Sequence, residues 1–113
     1  MAIVASGRLD QRITIQTKNV VRGSLGGHDE TWSTLAVVYA ETLDMTGREI
    51  YNAKAMGSAA TMKITIRWRS DVHPDQRIVL ADGTMARIEY IRRVTRKQYI
   101  ELYCLYLDDG SYE

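Results

Sequence analysis

A chain of 113 residues forms one small domain, large enough to bury roughly two thirds of its unfolded surface without disulfides or metals. Charged residues are 26% and hydrophobic ones 45%, the balance of a water-soluble globular protein, and a net charge of +1 argues against a general nucleic-acid or membrane binder. The single cysteine, Cys104, excludes an intrachain disulfide; within "IELYCLY" it reads as a small core residue. No apolar run reaches membrane-spanning length, and "MAIVASGR" lacks the basic start and long apolar core of a signal peptide, so no membrane association is expected.

In chain order, the first element is "RITIQT", where Ile13 and Ile15 alternate with Arg12, Thr14 and Gln16 as in a half-buried strand. "KNVVRGSLGGHDET", residues 18–31, follows with three glycines and little core material. It reads as a long Gly-rich loop with Val20, Val21, Arg22, Leu25, Gly26 and Gly27 as its contact residues. "WSTLAVVYAETL", from Trp32 to Leu43, is a long, mostly apolar strand with a bend or bulge.

"DMTGREIYNAKAMGSAATM", residues 44–62, carries a helix-start signature. Thr46 and Glu49 fit a capping box, and Met45 and Ile50 fit the hydrophobic staple across it. From Ile50 to Met62 the only charged residue is Lys54, although a surface helix normally turns charge to water. On a helical wheel Ile50, Ala53, Met56, Gly57 and Ala60 share the side expected to pack on the barrel. Tyr51, Ala55 and Ser58 lie towards the other, where small residues permit close approach of a second subunit. Glu49 has a capping task; Arg48 has no local one and joins the candidate subunit contacts.

"KITIRWR" is the clearest strand, with Ile64, Ile66 and Trp68 inward and Lys63, Thr65, Arg67 and Arg69 outward. "SDVHPDQ" is a turn around Pro74. "RIVLADGTMARIEYI" holds Asp82-Gly83 between two apolar runs, a hairpin signal, and "RKQ" offers a second turn into "YIELYCLYL". The expected core is Ile13, Ile15, Ile64, Ile66, Trp68, Ile88, Leu102 and Cys104. Five to six antiparallel strands, one short helix and no βαβ rhythm define a mainly β protein: a small single-domain barrel over residues 1–113.

Catalytic groupings are hard to find. His28, Asp29 and Glu30 are adjacent but lack further ligands, and Asp71, His73 and Asp75 flank a proline turn rather than lining a strand face. No Walker loop, CxxC pair or GxSxG occurs, so neither an enzyme nor a cofactor is expected. Charge is unevenly placed: residues 61–100 hold nine Lys or Arg against four Asp or Glu, and residues 101–113 hold four acids and no base, an asymmetry that can orient subunits head to tail. Arg67, Arg69, Arg92 and Arg93, with Arg96 and Lys97, outline a basic strand face near Trp68, Tyr90 and Tyr99. The alternative reading is therefore a small barrel that binds single-stranded nucleic acid by stacking and charge.

The order of these motifs resembles the head–tail connector family of tailed bacteriophages, comprising head–tail adaptor, head-closure and stopper proteins. The resemblance runs from "GRLDQRITIQ" through "GGHDETW", "YAET", "TGREIYNA", "ITIRWRSDVHPDQRI" and the "DGT" hairpin to "YIELYC". One departure is Ala86, where family members often carry an aromatic. The resemblance implies a non-enzymatic part of the virion neck, made in the bacterial host cytoplasm. It implies a ring below the portal and adaptor that closes the DNA-filled head, offers a docking surface to tail-side neck proteins, and passes close to the packaged double-stranded DNA. It also implies a homo-oligomer in the particle and a monomer in isolation. Free phage, prophage and gene transfer agent fit the sequence equally.

Overall fold

The computed structural model describes residues 9–22, 28–95 and 98–107. Six strands, β1 (Gln11–Arg22), β2 (His28–Asp44), β3 (Met62–Arg67), β4 (Arg77–Val79), β5 (Met85–Thr95) and β6 (Tyr99–Tyr106), and one helix, α1 (Gly47–Ala55), make up the regular structure. Every pairing is antiparallel, and the order β1-β2-β3-β6-β5-β4 closes into a barrel when β4 returns to β1. Closure leaves the barrel body with few unpaired strand edges, which a sheet of this size must otherwise protect.

The period-two alternation determines what lies inside. Ile13, Ile15, Ile64, Ile66, Ile78, Ile88, Ile100, Leu102 and Cys104 are all at most 1% exposed and form one core. Seven of the eight expected core residues are there. Trp68 is not: β3 ends at Arg67, and Trp68 lies just beyond it, half-buried against the rim of the core. Its amide still donates to the Gln98 carbonyl, one step beyond Arg67↔Tyr99 in the same register, so the ring keeps the phase of Ile64 and Ile66 and packs against the core only where the strand ends. Thr65 faces outward as expected yet is only 3% exposed, because the register sets it between Glu41 and Glu101 on that face. Ala86 is fully buried and belongs to the core.

The expected loop over 18–31 is corrected. Lys18–Arg22 continues β1 and His28–Thr31 begins β2, paired from Lys18↔Trp32 to Arg22↔His28. Leu25, Gly26 and Gly27 lie outside the described residues. Val20, Val21 and Thr31 are β-branched strand formers, and their tendency outweighs the glycines, which fall in the five positions between the strands. The anticipated irregularity in β2 is a bulge: Ile15 pairs Ala36 and Gln16 pairs Thr34, leaving Leu35 as the extra residue. Beyond Gln16, β1 has β4 no longer beside it, so residues 17–22 and 28–33 form a two-stranded arm off the barrel.

The helix is shorter than the 44–62 stretch. Its capping box is complete, with the Glu49 amide donating to Thr46 Oγ1 at 3.2 Å and the Thr46 amide donating to Glu49 Oε1 at 2.9 Å. Met45 and Ile50 join one cluster, as the staple requires. The end is a Schellman motif: Gly57 (φ +84°) and Ser58 donate to the Lys54 and Ala53 carbonyls, and glycine takes the left-handed backbone without strain. Beyond it, residues 58–61 have no regular secondary structure and lead into β3.

Candidate functional site

Three surfaces stand out, and none of them is catalytic in form. Asp71, His73 and Asp75 sit in the expected turn. Asp71 accepts two hydrogen bonds from Arg69, at 3.0 and 2.8 Å, and those bonds hold its carboxyl below the usual aspartate range. Gln76, which sequence reasoning passed over, organises this turn while 7% exposed: its side chain donates to the Asp71 carbonyl and accepts from the His73 amide. A buried amide with both ends satisfied is a structural clamp. His28, Asp29 and Glu30 begin β2, in backbone register with Arg22, Val21 and Val20. Among the described residues, no three His, Cys, Asp or Glu side chains converge as a metal shell. Burial pushes the Cys104 thiol up to about 12, far from the thiolate that a nucleophile needs.

The first surface is the outer side of α1. The helix lies on the outside of the barrel wall, where Ala53 and the partly buried Ile50 pack with Met45, Ala60, Tyr103 and Tyr90. Two polar ties fasten its ends. Lys63 of β3 reaches Glu49 at 3.1 Å, and Glu49 is held below the usual glutamate range first by the Thr46 amide and then by Lys63. At the other end Glu89 accepts from the Ser58 hydroxyl and the Ala59 amide, and from Arg87. Glu89 is available because it is the extra residue of a second bulge, between Ile88↔Cys104 and Tyr90↔Tyr103. Beneath the helix, Tyr90 and Tyr103 stack at 4.5 Å between centroids. Burial, then the hydrogen bond to Glu101, lifts the Tyr103 phenol to about 12.

With one side so fixed, the other is left to solvent. Tyr51 is 74% and Met56 67% exposed, and Arg48 and Ala55 are exposed beside them. Met56 was expected on the barrel side; the C-cap geometry turns it out instead. Ser58 differs from the other three proposed contacts, since its hydroxyl is already used by Glu89.

The second surface is the arm. Its base is braced by Arg77, which donates through Nε to Gln16 at 2.6 Å and lies 4.2 Å from the centroid of the Trp32 ring. Asn19 donates to Ser33 across the two strands. Val20, Val21 and Arg22 belong to this arm by backbone position.

The third surface is the set of arginines, which the fold disperses. Arg67 and Arg92 flank β6 on the outer face, the first in register with Tyr99 and the second with Glu101. Arg93 pairs with the inward Ile100 and so belongs to the opposite face at the barrel mouth. Arg69 is committed to Asp71. Tyr90 stacks on Tyr103 rather than presenting a free ring. Arg67 does border a cleft of about 400 Å3 with Leu9, Val38, Tyr39, Trp68 and Arg69. The opposite rim is acidic: Asp44 and Asp82 add to burial in raising the Tyr106 phenol.

The chain folds as a small closed antiparallel barrel with a helix fastened to its wall and a projecting two-stranded arm. The chain belongs to the phage head completion protein family, whose profile matches residues 4–106. It is also similar to the solution structure of protein SF1141 from Shigella flexneri 2a, with 26% identity and a TM-score of 0.78 over 97% of this chain and 100% of that one. No curated protein matches the chain. The family is a structural one. Membership makes this chain a virion component that works among phage head and tail proteins. Among the described residues no helix is long and apolar enough to cross a membrane.

Proposed function

We propose that the chain, residues 1–113 acting as one unit, is a non-enzymatic part of the phage neck. Copies form a ring below the portal and adaptor, close the DNA-filled head and receive the tail. The observation that carries this reading is the helix: one side is fastened to the barrel by Glu49–Lys63 and Ser58–Glu89, while the other exposes Tyr51, Ala55 and Met56 with Arg48. Apolar groups on a rigidly held element form the sort of patch that protein contacts bury. Asp44 and Asp82 at one rim, with Arg67 and Arg93 towards the other, support a head-to-tail arrangement of neighbours.

The arm extends the reach of each subunit towards a neighbour or towards the channel that carries the double-stranded DNA. The free protein is a monomer, and the ring forms on the portal complex. Electron microscopy of the protein mixed with its cognate portal complex tests the proposal: added ring density below the portal supports it, and an unaltered portal complex at saturating protein overturns it.

A further inference from the structure

We propose that the Ala36–Ala40 edge of β2 is a strand-acceptor site for an extended segment of a partner protein, with an acidic side chain of that segment set against Arg67.

Hydrogen-bond accounting leads to the site. Ala36–Ala40 pairs with β1 on one side, through Ala36↔Ile15 to Ala40↔Gln11. On the other side β3 joins β2 only from Glu41, and Ile66 and Arg67 pair with β6 alone. Among the described residues this side of the five-residue stretch, roughly 17 Å long, has no strand against it. Strand edges in natural proteins are protected by charges, prolines or bulges. Here no charged residue or proline occurs from Thr31 to Ala40, and the Leu35 bulge bounds the stretch without interrupting it.

The surroundings select the occupant. Val37 and Tyr39 are 47% and 60% exposed, and the 400 Å3 cleft beside them is lined by Leu9, Val38, Tyr39, Arg67, Trp68 and Arg69. Among the described residues, neither carboxylate nor amide side chains line it. The Arg69 charge is met by Asp71, whereas Arg67 is exposed and forms no ion pair among the described residues. A cation with no ion pair among the described residues, in a cleft that Tyr39 and Trp68 also line, suits one carboxylate flanked by apolar residues. A phosphate backbone would need a run of cations instead. Main-chain pairing supplies affinity in strand addition, and alternate side chains supply selectivity. The inference does not depend on the ring: it holds for any partner that presents such a segment.

The test uses the full 15N-labelled chain and two peptide probes, acetyl-Ser-Val-Asp-Val-Thr-Tyr-Ser-amide and the same peptide with Lys for Asp. The Asp probe is expected to bind saturably, shifting the amides of residues 36–40 and 67–69, and to bind about tenfold more tightly than the Lys probe. Arg67→Glu, an exposed change whose fold the same spectra verify, should reverse that order, and Arg67→Gln should abolish it. Absence of saturable binding by the Asp probe up to roughly 1 mM overturns the proposal, as do shifts confined to another surface. Concentration-dependent shifts of the same amides without peptide would assign the edge to a second copy. Binding gained only on deleting residues 1–8 would assign it to the chain itself. Either result also overturns the proposal, and neither bears on ring density at the portal.

Discussion

Ile66 has no accessible surface and stands in β3 opposite Ile100, with Ile64 and Leu102 two residues along on the same inner face. Truncating it to alanine leaves a hole that a closed barrel is poorly able to collapse around. Ile66→Ala is therefore expected to cost on the order of 2–5 kcal/mol, read from urea unfolding midpoints; a loss well below 1 kcal/mol would show that the wall relaxes freely. A different residue-scale effect comes from Glu49 and Glu89. Both carboxyls are held below the ordinary glutamate value of 4.5, Glu49 chiefly by the Thr46 amide and Glu89 chiefly by Arg87. Each then binds fewer protons folded than unfolded. Its contribution to stability is complete above pH 4.5 and is lost as pH falls through the lowered folded value. Melting temperatures measured between pH 7 and pH 3 should drop less steeply for Glu49→Gln with Glu89→Gln than for the parent; identical slopes would remove both groups from the acid response.

At the scale of elements, legibility followed the strength of local rules. Thr46, Glu49, Met45 and Ile50 announced the helix start, because capping uses neighbours in sequence. Asp82-Gly83 announced the β4–β5 hairpin: Gly83 adopts φ +91° and closes a three-residue loop in which Leu80 donates to the Thr84 carbonyl. The arm was hidden because glycines dominated a segment whose strand character depends on pairing between Lys18–Arg22 and His28–Trp32. Trp68 keeps the predicted phase but is only half-buried, because alternation has no marker for where the barrel wall ends. Glu89 gave no signal, since a bulge aims it across 31 residues of sequence at Ser58. The exposed side of the helix was legible as a shortage of charge, and it yields a prediction. Tyr51→Glu and Ala55→Arg alter exposed groups outside the Ala53 packing, so melting temperatures should stay within a few degrees of the parent. Attachment to the portal complex should be lost. Normal attachment by both variants would move the subunit interface to the barrel faces.

For the whole molecule, the question is what the arm contributes. The protein measures 52 × 28 × 26 Å, and the six residue pairs beyond Gln16↔Thr34 make about 20 Å of ribbon. Those strands pair with each other and with nothing else described, and a two-stranded ribbon by itself is marginally stable in water. Its stability is borrowed from the base, where Arg77 bonds Gln16 and covers Trp32. Removing the arm above that brace should therefore leave the barrel nearly as stable as before. Deleting Asn19–Thr31 and joining Lys18 to Trp32 through Asn-Gly, a two-residue hairpin turn, keeps Gln16, Trp32 and Arg77 in place. The expected result is a melting temperature within a few degrees of the parent, against a clear fall for Ile66→Ala. If the arm makes contacts in the neck, the shortened protein will bind the portal complex weakly, or particles completed with it will leak DNA. Full attachment together with full DNA retention would reduce the arm to a connection between β1 and β2. The exposed side of the helix would then have to supply the contacts between subunits.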